Sequence, residues 1–396
     1  MKKKLNFLNY LFYLIALFII LPNNIKEVPF ILLGLFTIVV FVMEKKIEIK
    51  KFLLISIFFI INIISLFYTK DLHYGINRIG GILPFLYVPF SYCIILKMDL
   101  RFDRKFVDNW ILVFNTSICI FLIIFCLFFY FQDLPLTYNN VRTILDKIPL
   151  INMHPIYLSI VAVLGMMSCA YIIKNNLKKG LFLICVNVVL LILSGARATF
   201  VGFLAILFFM IFFSKLDLKA KYVLFFISII SIYSIFSMNT DFKKRFREII
   251  IPISYSKVDI NNSTSVRFAI WDCDIEQIKK SNFLFGYGLG DVPSKLQECY
   301  DDKYPELGKY YNSHNQYFSI VLGTGLIGLI SFLIFFLYFF SDAIKNKNYF
   351  LVVLILFYLY MFNFENIIER KYGVLLLLFF MLYVFNIFTK ISKDDC

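Results

Sequence analysis

Twelve apolar stretches cut this chain into pieces close to the length a helix needs to cross a bilayer, and that spacing constrains the fold more than any other feature. They run near 5–22, 28–43, 52–67, 79–96, 107–131, 149–173, 180–196, 198–214, 222–238, 315–341, 349–363 and 372–389. A spanning helix takes about 20 apolar residues, within a range of about 17–25. Hydrocarbon offers no partner to a backbone N–H or C=O, so such stretches must close their hydrogen bonds internally, as helices. With 396 residues, 60% hydrophobic and only 17% charged, the chain carries more apolar surface than a water-soluble domain can hide. The expected fold is therefore all-α: a polytopic transmembrane bundle of about 12 spans, with one large polar loop. Residues 1–238 would hold spans 1–9, residues 239–313 the loop, and residues 314–396 spans 10–12 with a short tail.

The formal net charge of +14 invites a nucleic-acid partner, but its distribution argues for none. Most Lys and Arg form short clusters beside apolar runs, as topology signals do. Clusters such as Lys45, Lys46, Lys50 and Lys51, or Lys97, Arg101, Arg104 and Lys105, fall in alternate loops on the side of the N-terminus. The short loops opposite are poor in basic residues. The positive-inside rule then places both termini in the cytoplasm and the 239–313 loop outside. Met1-Lys2-Lys3-Lys4 followed by an apolar run resembles a signal peptide without a small-residue cleavage site, so a retained first helix is expected. Cys93, Cys119, Cys126, Cys169 and Cys185 sit in apolar runs and read as small hydrophobes. Cys273 and Cys299 share the long loop, where an oxidising compartment would permit a disulfide.

Within that loop, Ser265 to Ser281 reads as an amphipathic helix, with Val266, Ala269, Ile270, Cys273 and Ile278 at helical spacing. Asn262, Ser263, Thr264 and Ser265 all suit its N-cap. Gly286-Tyr287-Gly288-Leu289-Gly290-Asp291 follows as a turn. It is not a dinucleotide fingerprint, since no strand precedes it and no helix opens at it.

His73, His154 and His314 all fall at the outer ends of predicted segments, and no charged residue lies at the centre of one. An ion-coupled transporter keeps ionisable groups near the midplane, so chemistry is expected on the outer face instead. Arg197 occupies a tight outer turn, Leu193-Ser194-Gly195-Ala196-Arg197-Ala198-Thr199. An arginine at the lipid boundary snorkels or meets an anion, and a lipid-linked diphosphate would suit its fork of donors. Arg267, in the first turn of the loop helix, opposes the helix dipole by about 0.3–1 kcal/mol unless an anion binds there. His314, in Ser313-His314-Asn315-Gln316-Tyr317, stands at the mouth of the tenth segment, where a neutral imidazole can act as a base. Its neighbours Asn315 and Tyr317 are candidate substrate contacts. His154 in Asn152-Met153-His154-Pro155, with Arg142 and Lys147 just before it, lines the acceptor or glycan side in the functional reading and anchors the interface in the other. Glu365 and Glu369 suit the orientation of a cationic partner. Asp301-Asp302 lies in a solvated polar run, and no carboxylate cluster calls for a metal. The arginines would do that neutralising, and no cofactor is expected.

On these residues the chain resembles the bacterial O-antigen ligase and O-antigen polymerase superfamily. Three motifs carry the resemblance: Ser194–Thr199; Ser265-Val266-Arg267-Phe268-Ala269-Ile270-Trp271 followed by Asn282–Gly290; and Ser313–Tyr317 with Gly325-Leu326-Ile327-Gly328. The resemblance implies an inner-membrane glycosyltransferase whose active site faces the periplasm. Its donor would be an undecaprenyl-diphosphate-linked glycan and its acceptor lipid A-core, in lipopolysaccharide assembly, without metal or nucleotide. Arg197, Arg267 and His314 map onto the family's catalytic arginines and histidine. A polymerase and a protein O-oligosaccharyltransferase share this layout. A flippase or exporter of lipid-linked glycans is the alternative of another class.

Overall fold

The apolar stretches fold as helices in the computed structural model, which describes residues 2–98, 102–135, 137–173, 176–213, 217–237, 258–260, 262–308 and 311–388. In chain order these are α1 (Lys2–Ala16), α2 (Val28–Glu44), α3 (Ile49–Ser65), α4 (Leu72–Ile82), α5 (Pro84–Ile95), α6 (Arg104–Phe131), α7 (Tyr138–Lys147), α8 (Pro155–Ile173), α9 (Leu177–Ser194), α10 (Arg197–Phe213) and α11 (Leu218–Ser237). After the long loop come α12 (Ser263–Lys280), α13 (Val292–Lys303), α14 (Gln316–Lys345), α15 (Tyr349–Met361) and α16 (Lys371–Phe379), which continues as a π-helical stretch over Phe380–Ile387. Among the described residues there is no strand, and the fold is an all-α polytopic membrane protein. Among the described residues, five helices are by themselves long and apolar enough to cross a bilayer: Leu72–Ile95, where α4 runs into α5, together with α6, α8, α9 and α14. The first part of the long loop, 239–257, lies outside the described residues.

Several boundaries differ from the sequence reading for local reasons. The first segment stops at Ala16 rather than near residue 22, and turns carry the chain through Pro22 to Glu27. The fourth helix starts seven residues earlier than expected, because Asp71 caps it by accepting from the Tyr74 N–H at 2.9 Å. Arg78 therefore belongs to an apolar helix. The sixth segment begins at Pro155, not near 149, and the polar residues before it form α7, capped by Thr137.

The chain divides into two compact units. The first comprises Met1–Lys46, Ile95–Phe246 and Leu382–Cys396. Its centre is α8, buried on nearly all sides as an all-round apolar helix should be. Gly165 lets α9 come close, since a Cβ there would strike Asn187. Asn187 of α9 donates to Asn115 Oδ1 of α6 at 2.7 Å, and Cys169 of α8 donates to the same oxygen at 3.4 Å. Hydrogen bonds of this kind lock helices where no hydrophobic effect separates protein from lipid. Trp110 is fully buried and donates its indole N–H to the Phe12 carbonyl at 2.8 Å.

The second unit comprises Ile47–Ile94 and Arg247–Met381. Here α3 packs along α14, and α14 is kinked at Gly325, whose φ is 64°. The Gly286–Gly290 turn docks into that kink. Tyr287 and Gly288 donate to the carbonyls of Leu322 (2.7 Å) and Gly323 (3.0 Å), while Leu326 N–H donates to the Phe283 carbonyl at 3.0 Å. A Cβ on Gly325 would strike the Leu284 carbonyl, so both the left-handed backbone and the close approach require glycine there. Asn262 caps α12 by accepting from the Thr264 and Ser265 N–H groups. Val266, Ala269, Ile270 and Cys273 of α12 pack on Leu296, Cys299 and Tyr300 of α13. A Cys273–Cys299 disulfide joins the two helices, with Cα atoms 5.7 Å apart.

Candidate functional site

Two carboxylates on the segment after α15 organise one end of the second unit. Gln316, the first residue of α14, holds that segment in place: its N–H donates to the Phe362 carbonyl at 2.7 Å, and its Oε1 accepts from the Ile368 N–H at 3.0 Å. Glu365 and Glu369 are thereby brought against residues 312–319.

Glu365 is buried, and its Oε2 lies 3.3 Å from His314 Nδ1 and 4.0 Å from Arg267 Nη2. Of the sequence-predicted site residues, the structure thus gathers His314, Arg267 and Glu365 into one cluster. His314 has a φ of 44°, a left-handed turn unusual for a side-chain-bearing residue. The turn is held on both sides. Asn315 caps α14, accepting from the Tyr317 and Phe318 N–H groups, and Tyr317 donates its hydroxyl to the Leu359 carbonyl at 2.7 Å. These contacts give Asn315 and Tyr317 structural work beside His314. On the other side, Trp271 Nε1–H donates to the Ser313 carbonyl at 3.1 Å, and the Ser313 hydroxyl donates to Asp274 Oδ1 at 2.9 Å.

Asp274 is fully buried, and its Oδ2 has no hydrogen-bond partner. Burial pushes its carboxyl up to about 8; the Ser313 hydrogen bond works against the shift and the charge of Glu369 adds to it. The sequence reading passed over Asp274. Its one available signal was a carboxylate on the otherwise apolar face of the loop helix.

Glu369 is bound differently. Arg78 grips it as a fork, Nη2 to Oε1 at 2.8 Å and Nη1 to Oε2 at 2.9 Å. Asn366 donates to Oε1 at 2.6 Å, Asn312 donates to Oε2 at 3.5 Å, and the Ser319 hydroxyl donates to Oε1 in a short bond. Nothing in the sequence links Arg78 to a carboxylate 291 positions away. This pair borders a cavity of about 460 Å3. The cavity lies on the Asn312–Ser313 side of the turn, and neither His314 nor Arg267 lines it. Asp301, expected in a solvated run, lies on α13 and borders the cavity.

The remaining predicted residues belong to the first unit. Arg197 opens α10, half-buried, directly after Gly195 ends α9 in a left-handed cap (φ 60°). Two residues on, Thr199 is fully buried and accepts from the Ser159 hydroxyl at 2.8 Å. His154 precedes α8 and turns its Nδ1 toward the Ile156 N–H at 3.4 Å, as a capping residue does. Arg142 lies half-buried on α7.

A family model described as O-Antigen ligase matches residues 180–333. Over those residues the chain is similar to the O-antigen ligase family. That span contains all three motifs of the ligase and polymerase superfamily: the Arg197 turn, the loop helix with Arg267, and His314. The apolar helices are those of a multi-pass membrane protein. Arg78, Glu365 and Glu369 lie outside the matched residues, yet they complete the surroundings of His314. No curated protein matches the chain.

Proposed function

We propose that the protein is an O-antigen ligase-type glycosyltransferase that moves a glycan from undecaprenyl diphosphate to lipid A-core. The observation that carries the reading is the His314–Glu365–Arg267 cluster. With Nδ1–H donated to the Glu365 carboxylate, His314 presents Nε2 as an acceptor for the proton of a sugar hydroxyl. That hydroxyl attacks the anomeric carbon, and the bond from that carbon to the diphosphate oxygen breaks. The departing diphosphate takes up negative charge, which Arg267 and Arg197 neutralise. Glu365 orients the imidazole and stabilises the imidazolium as it forms, the role a buried carboxylate plays beside other catalytic histidines.

The same proposal sets the protein in the bacterial inner membrane with both termini in the cytoplasm and this cluster facing the periplasm. The distribution of basic residues supports that orientation, and so does the Cys273–Cys299 disulfide, a bond kept in oxidising compartments.

The test is the envelope glycan profile of a deletion strain, with lipid-linked intermediates resolved from finished lipopolysaccharide. The expected result is bare lipid A-core with long glycan stranded on its carrier. Core bearing a single repeat would replace the ligase with a polymerase. An unaltered set of glycosidic bonds, with carrier-linked glycan held on the cytoplasmic side, would replace the enzyme with a flippase.

A further inference from the structure

The cavity beside the Arg78–Glu369 pair has its own chemistry, distinct from that of the His314 cluster. Three carboxylates line it, Asp71, Asp301 and Glu369, against one guanidinium, that of Arg78. The guanidinium is committed to Glu369 through both nitrogens. An acidic wall of this kind repels a diphosphate. What the wall offers is planar hydrogen-bonding groups and flat rings. Gln297 Nε2 reaches Asp301 Oδ1 at 2.7 Å, Asn312 spans between Glu369 and the His314 N–H, and Tyr74 and Tyr311 are among the lining residues. Leu289 and Pro293 supply an apolar floor. Small-molecule sites occupy about 300–1,000 Å3 and combine an apolar lining with a few placed polar groups, and about 460 Å3 falls within that range.

We propose that this cavity is a sugar-binding subsite: it takes one or two uncharged sugar residues, their hydroxyls on the Gln297, Asn312 and Asp301 groups and their ring faces on Tyr74 or Tyr311. The inference rests on the glycosyl-transfer reading for its source of sugars. Asn312 and Ser313 form the wall of the cavity and lead directly into His314, so a sugar held there sits one turn of chain from the proposed base. Either substrate could supply that sugar, the acceptor through its core or the donor through its repeat unit.

The experiment uses the full-length protein in detergent micelles and saturation-transfer NMR. One probe is lipid-free core oligosaccharide released by mild acid, and the other is repeat-unit oligosaccharide cleaved from its carrier. Transfer to either probe is expected. Binding should weaken about tenfold in Tyr311→Ala and in Gln297→Ala, the scale of one or two lost contacts, and should survive in His314→Asn. Inorganic pyrophosphate should not compete. Signal from the core probe alone assigns the subsite to the acceptor, and signal from the repeat-unit probe alone assigns it to the donor. Absence of signal from both probes, undiminished signal in both cavity variants, or displacement by pyrophosphate overturns the proposal. Binding that the cavity variants abolish, in a protein that transfers no glycan, keeps the subsite and removes the transfer reading instead.

Discussion

Glu365 and Glu369 lie four residues apart on one short segment, and the structure holds them in opposite ways. Glu369 receives both prongs of a guanidinium, the Asn366 amide and the Ser319 hydroxyl at close range, with the Asn312 amide farther off at 3.5 Å. Glu365 meets His314 and Arg267 at 3.3 and 4.0 Å, the long end of what counts as contact. A fork-on-fork pair with further donors fixes geometry. Longer contacts to titratable and cationic groups are those a substrate can tighten or displace, and such contacts are often long before substrate arrives. The difference separates a carboxylate that anchors the frame, Glu369, from one that is placed to serve the proposed chemistry, Glu365.

The strongest way to break this comparison is His314→Asn. Asparagine tolerates the left-handed backbone at this position, so the protein should fold and insert as before. Removing a general base costs about 10^2–10^4-fold in rate, which a turnover assay on purified protein would register. Near-native turnover would move the reactive centre away from Glu365. The matching change on the anchored side is Glu369→Gln, which leaves Arg78 facing neutral partners. Breaking a buried ion pair costs about 3–5 kcal/mol, and the 23% exposure of the Arg78 side chain lowers that to about 2–4 kcal/mol. The expected outcome is a clear fall in the thermal midpoint in detergent. If Glu365→Gln lowered the midpoint equally, the two carboxylates would share one structural role.

A third measurement sharpens the frame beneath both. The Cys273–Cys299 bond closes a stretch of 26 residues between α12 and α13. Replacing both cysteines with serine should remove about 3 kcal/mol of loop-closure stabilisation. Limited proteolysis should detect this as faster cleavage within 263–303, while residual turnover per folded molecule stays close to that of the parent. A collapse of turnover without faster cleavage would tie the disulfide to the reaction rather than to the frame.

Much of this was legible in the sequence. Each of the twelve apolar stretches corresponds to described apolar helix, because helical closure in lipid leaves no other option. The loop helix and its Asn262 cap followed from spacing and one good capping residue. Arg267 and His314 could be picked out one at a time, but the carboxylate between them could not be placed, since Glu365 is distant in sequence from both. Arg78 and Glu369 were illegible as a pair for the same reason. The α13 helix was missed although Asp291-Val292-Pro293, with Leu296, Cys299 and Tyr300 beyond, carries a proline start and helical spacing. Its charged face made it read as a solvated run. The glycines at 286, 288, 323 and 325 were visible as breaks, but that they dock against one another depends on a long-range contact that no local pattern encodes.

A pH-dependent effect concerns Asp274, which lies behind Ser313 and faces both Glu369 and the hydroxyl-bearing Tyr300. Its folded-state value of about 8 stands above the ordinary 3.8 of an unfolded aspartate. The folded protein therefore binds the proton more tightly than the unfolded chain does. The stability that this adds is fully present below about pH 4, declines as pH rises through the interval, and is gone once pH passes about 8. Melting curves of the intact protein between pH 5 and pH 8 should show a midpoint that falls with rising pH. Asp274→Asn keeps an acceptor for Ser313 and has nothing to titrate, so its curve should be flatter over the same range. If wild type and variant run parallel, Asp274 does not exchange a proton on unfolding in this window. The turn that carries His314 would then rest on Trp271, Asn312 and Asn315 without a titrating support.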